Sequence, residues 1–93
     1  MVVGVARIKL VISDSHSLKD KRRVVQSLKA RIRNEFNVSI AEVEALDDRQ
    51  CAVLAVAQVC NSGKYVNGTF DSILNLIRRC PSARIVSYEI ESY

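Results

Sequence analysis

Seven basic side chains stand between Ser17 and Phe36: Lys19, Lys21, Arg22, Arg23, Lys29, Arg31 and Arg33, against Asp20 and Glu35. The whole 93-residue chain carries a net charge of +4. This one segment therefore holds all of the excess, and the remainder is slightly acidic. Ammonium and guanidinium groups gathered in this way suit contact with a phosphate backbone. At ~100° per helical residue, Lys19, Arg22, Lys29 and Arg33 fall on one face with Arg23 on its flank. These five are the candidate nucleic-acid-binding residues. The competing reading of the same arc is a solvated face that keeps the chain soluble.

A second candidate lies where two helices are expected to begin. Free N–H groups at a helix start, with hydroxyls and cations beside them, suit a bound anion such as phosphate. Ser15, His16, Ser17 and Lys21 at the first start and Ser62 and Lys64 at the second form the candidate anion site. Its simpler reading is capping, with Ser17 on one helix and Asn61 or Ser62 on the other. Lys21 is unusual because its helical angle falls on the apolar side. It could reach up to the helix-start edge and stay in water by snorkelling, and the sequence leaves open whether it points to solvent or to the site.

Catalytic chemistry has little to stand on. His16 is the only histidine, and Asp14 and Asp20 are the only carboxylates near it in the sequence. No nucleophile is placed for it to activate, so a loop or capping role is expected. Cys51, Cys60 and Cys80 are odd in number and widely spaced, which reads as reduced, buried, small apolar residues. A zinc site would need closer spacing and a fourth ligand. An acylphosphatase-type site would need a glycine-rich loop with an arginine after the first strand, and neither is there. No enzyme activity, metal or cofactor is expected.

The elements that must position these residues follow from periodicity. Val2 to Ile12 alternates, with Arg7 and Lys9 on one face and Ala6, Ile8, Leu10 and Ile12 on the other, as in a strand with one buried face. After the polar break Ser13–Ser17, a helix is expected to run to about Phe36, with Leu18, Val25, Leu28, Ile32 and Phe36 on its buried stripe. Val38 to Leu46 and Arg49 to Val59 read as strands joined at Asp47-Asp48, the latter apolar on both faces as a central strand would be. A second helix is expected from Lys64 to Arg79, buried through Val66, Phe70, Ile73 and Ile77 and ended by Cys80-Pro81. The last strand is expected over Ala83 to Tyr93, with Val86, Tyr88 and Ile90 inward.

The order β-α-β-β-α-β without a linker predicts a single ferredoxin-like domain over residues 1–93. It would be an α/β (α+β) two-layer sandwich, a four-stranded antiparallel sheet with two helices on one face. The first and third strands are expected as parallel central neighbours, which would bring both helix starts to one edge. The open sheet face offers Arg7 and Lys9, which are expected to pair with Glu89 and Glu91. It offers no aromatic residue on the central strands, which counts against base stacking there. Its apolar third strand suggests a second copy of the chain as a partner.

The run Ser15-His16-Ser17-Leu18-Lys19-Asp20-Lys21-Arg22-Arg23-Val24-Val25, with Phe36 to Val43 after it, resembles the YlxP-like family of small bacterial proteins. The resemblance extends over nearly the whole chain. It implies the same ferredoxin-like sandwich and supplies no catalytic residues. Because members tend to be encoded beside translation and ribosome-maturation factors, it also implies RNA or a ribosomal particle as partner.

Without a leader pattern in Met1–Leu10 or an apolar stretch of about 20 residues, a complete cytoplasmic protein with no membrane contact is expected. Its expected function is non-enzymatic docking on RNA or a ribosomal particle through the first helix. The alternative is a homodimeric interaction or regulatory module that uses the open sheet face.

Overall fold

The computed structural model describes residues 1–93 as β1 (Val2–Ile12), α1 (Leu18–Glu35), β2 (Ser39–Glu44), β3 (Cys51–Cys60), α2 (Gly63–Arg78) and β4 (Ala83–Ser92). The four strands form one sheet in the order β2-β3-β1-β4, and every neighbouring pair is antiparallel. One sheet face supplies Ala6, Ile8, Leu10, Ile12, Ile40, Ala52, Leu54 and Val56 to a single buried core. Both helices close over that face, α1 through Val25, Leu28 and Ile32 and α2 through Val66, Phe70, Ile73, Leu74, Leu76 and Ile77. The other face is uncovered.

The expected parallel pairing of the first and third strands is corrected by the register. Val2 lies opposite Cys60 and Val11 opposite Cys51, so β1 and β3 run in opposite directions. The physical reason is connectivity. Each β-α-β crossover skips a strand, so β1 is parallel to β2. The β2-β3 hairpin then returns antiparallel between them.

Gly4 sets how closely α2 approaches the sheet. A Cβ there would overlap Val66 Cγ1 and lie 3.1 Å from Phe70 Cε2. The absent side chain is what lets the first turns of α2 pack onto β1.

Two bulges change which side chains face the core. In β4 the register against β1 shifts between Lys9 and Leu10, so Ile85 lies opposite Leu10 and packs against the core. Val86, expected inward, is exposed instead. An extra residue in a bulged strand moves the following side chains to the other face. In β2 a shift between Glu42 and Glu44 leaves Val43 exposed and ends the strand two residues before the expected Leu46.

Candidate nucleic-acid interface

Ser17 caps α1 by accepting the Asp20 N–H at 3.1 Å, and the Asp20 carboxylate accepts the His16 N–H at 3.3 Å. That reciprocal pair fixes where the helix starts. The buried stripe Lys21, Val25, Leu28 and Ile32 fixes how it is rolled. Together they turn the arc beside that stripe outward. Lys19, Arg22, Arg23 and Arg33 are exposed, and Lys29 is half-buried. From Lys19 to Arg33 the arc extends about 21 Å at 1.5 Å per residue.

None of these five cations is in an ion pair, because the chain has two only, Arg7 with Glu44 and Lys21 with Glu42. Arg33 makes the one side-chain hydrogen bond of the arc, its Nη2 donating to the Ile40 carbonyl at 3.0 Å. That contact ties the end of α1 to the outer edge of β2 and occupies an edge carbonyl that would otherwise be free to pair with another strand.

The candidate anion site does not assemble. Because β1 and β3 are antiparallel, Ser15, His16 and Ser17 follow one end of the sheet and Ser62 and Lys64 the other. The two ends are roughly 30 Å apart at the strand rise per residue. The hydroxyls are also in use. The Ser15 Oγ donates to the Ser17 carbonyl at 3.1 Å, and the Ser62 Oγ accepts the Tyr65 N–H at 3.3 Å as the N-cap of α2. Ser17 and Ser62 are therefore capping residues, and His16 contributes its backbone to a cap.

Lys21 departs furthest from expectation. Its side chain is 0% exposed, so it does not snorkel to the surface. Its Nζ lies 3.0 Å from Glu42 Oε2 and donates to the carbonyls of Ala45 at 2.8 Å, Leu46 at 3.3 Å and Cys51 at 3.1 Å. An ammonium has three protons, so these four acceptors share them. The group pins the β2-β3 hairpin onto α1, including Ala45, which holds a left-handed φ of 58°. Its angle within the apolar stripe was a signal of burial. Glu42, on another strand, carried no such signal.

On the open sheet face, Arg7 reaches across β3 to Glu44 of β2 rather than to Glu89, although Glu89 lies opposite it on β4. Arg7 lies opposite Ala55 and Glu44 opposite Val53 in β3, so the pair runs diagonally across that strand. Lys9 lies opposite Ser87 and makes no ion pair. Arg7, Lys9, Glu44, Asp48, Cys51 and Glu89 help to line a shallow cleft of about 400 Å³. The backbone N–H groups of Gln50 and Cys51 hold the Asp48 carboxyl below its usual pKa. Toward the Met1 end, Val3, Val5, Ala55, Ala57 and Val59 share this face, and Val59 is 63% exposed. No three His, Cys, Asp or Glu side chains gather where they could hold a metal ion, and no helix is long and apolar enough to cross a membrane.

The antiparallel sheet under two helices defines the class, a ferredoxin-like α/β two-layer sandwich. Two solved structures share it. The de novo designed protein Foldit4 aligns over 100% of this chain and 97% of its own, with a TM-score of 0.58 and 14% identity. The de novo designed ferredoxin-fold protein LFR1 1 aligns over 98% and 86%, with a TM-score of 0.51 and 15% identity. These likenesses speak to the fold.

Residues 3–90 match the family described as "Protein of unknown function (DUF503)", and the chain belongs to that family. It is also similar to the uncharacterized protein YlxP of Bacillus subtilis (strain 168), with 32% identity over 80 residues that cover 86% of this chain and 87% of that one.

Proposed function

We propose that this chain is a non-enzymatic cytoplasmic protein that docks on RNA, or on a ribosomal particle through its RNA, by the outer arc of α1. The observation that carries this reading is the set of five cations, Lys19, Arg22, Arg23, Lys29 and Arg33, with no carboxylate paired to any of them. Lys21, by contrast, is buried and paired, so its charge is spent inside the fold. Unpaired cations on a rigid helix displace counterions from a phosphate backbone without first breaking internal ion pairs. Such contacts position a protein on RNA and confer little base specificity. The test is RNA affinity across a salt series, with and without the arc charges.

A second reading rests on the open sheet face. Val3, Val5, Ala57 and Val59 are aligned across β1 and β3 and uncovered by any element. A second copy laid face to face would bury them. Oligomeric state in solution tests this reading, and the two readings are compatible because they use opposite layers.

A further inference from the structure

The RNA reading leaves open whether anything on the helix layer reads a base. The last turn of α1 and the first turns of α2 line a shallow, open groove of about 630 Å³. Glu35, Lys64, Tyr65, Gly68 and Ser72 are among its lining residues.

Tyr65 lines this groove while being 64% exposed, so the core does not account for its ring. Gly68, one turn further along α2, is equally unexplained by packing. A Cβ there would meet nothing within 4 Å. Glycine inside a helix is destabilising relative to alanine, and its usual compensation is close approach to backbone. No element of this chain makes that approach at Gly68.

The charges say what kind of group fits. Glu35 is in no ion pair and is an acceptor only. It repels a phosphate from the groove but accepts from the amino or imino groups of a base edge. Lys64, exposed and also unpaired, offers a cation to the adjoining phosphate. Arg31, exposed and one turn before Glu35, extends positive charge from α1 toward the groove.

Resting on the RNA reading, we infer that the inter-helix groove is a nucleobase pocket, in which an unpaired base of RNA held by α1 stacks on Tyr65 over Gly68 with its donor edge toward Glu35. The protein then favours single-stranded RNA over duplex, whose bases are already stacked.

The test compares a labelled 12-nucleotide single-stranded RNA with a duplex of the same length. Wild type, Tyr65→Ala and Gly68→Leu are titrated at one low salt concentration. Gly68→Leu replaces glycine with a strong helix former and fills the groove, so its loss of binding cannot be traced to a weakened helix. Both variants are expected to bind the single strand roughly tenfold more weakly than wild type, with duplex binding unchanged. Unchanged single-strand binding in both variants overturns the pocket and leaves the α1 reading standing. An equal loss for single strand and duplex overturns it too, because a base pocket cannot act on paired bases. If wild type binds neither RNA, the α1 reading fails and the pocket with it.

Discussion

Lys21 on α1 and Glu42 on β2 form an ion pair of 3.0 Å inside the protein, with their side chains 0% and 11% exposed. The lysine amino group also serves three carbonyls of the β2-β3 hairpin. One cation thus closes the sheet onto the helix that carries the arc. Removing it leaves a nearly buried carboxylate and three carbonyls without their donor. Lys21→Met is expected to cost about 3–5 kcal/mol, the range for breaking a buried pair from one side. Guanidinium unfolding measures it, and a loss below about 1 kcal/mol, typical of a surface pair, would show that the contact is not holding the hairpin.

Gly4→Ala is expected to destabilise by about 1–3 kcal/mol, because the new methyl overlaps the stiff Val66 side chain. Val66→Ala made in that background should recover part of the loss, although alone it destabilises through a cavity. A double-mutant cycle gives the coupling. Additive effects would mean that α2 does not depend on this close approach.

Asp48 links the hairpin to acid. Its pKa is lowered first by the N–H of Gln50, then by that of Cys51. A carboxyl with a depressed folded pKa stabilises the fold above its unfolded value, about 3.9. That contribution is lost as pH falls through the lower folded value. Asp48→Asn should therefore be less stable than wild type at pH 7, and the gap should close as pH falls below 4. Unfolding at several pH values tests this, and a gap independent of pH would remove the charge from the account.

The open sheet face makes a separate claim on oligomeric state. If Val59 and its neighbours are covered by a second copy, sedimentation should show a concentration-dependent dimer, and Val59→Lys should return it to monomer. A wild-type monomer at every concentration would assign that face to solvent or to another partner.

Much of this architecture is legible in residue order, and its failures have physical causes. The alternation of Ala6, Ile8, Leu10 and Ile12 and the stripe Val25, Leu28 and Ile32 report burial directly, because each needs only its own element's period. The direction of β3 against β1 is a property of connectivity, which places the two helix starts at opposite ends of the sheet and is invisible to the period of either strand. The Ile85 and Val86 exchange follows from a bulge that only pairing with β1 reveals. Lys21 sat visibly within an apolar arc. Its partner Glu42 lies 21 residues away, so the sequence leaves open whether the Lys21 side chain is buried or reaches water. The arc itself was legible because exposed cations on a helix need no tertiary partner to be placed.

The most direct test of the docking account is equilibrium binding to a structured ribosomal RNA fragment across a salt series. Wild type is compared with a variant carrying Arg22→Glu, Lys29→Glu and Arg33→Glu. Five phosphate contacts correspond to a log–log salt slope of roughly −3.5 to −4.5. Wild type is expected to bind with such a slope, and the variant, folded by circular dichroism, is expected to lose binding. If neither protein binds at low salt, or if both bind alike, the outer arc of α1 is a solvated surface and the account is wrong.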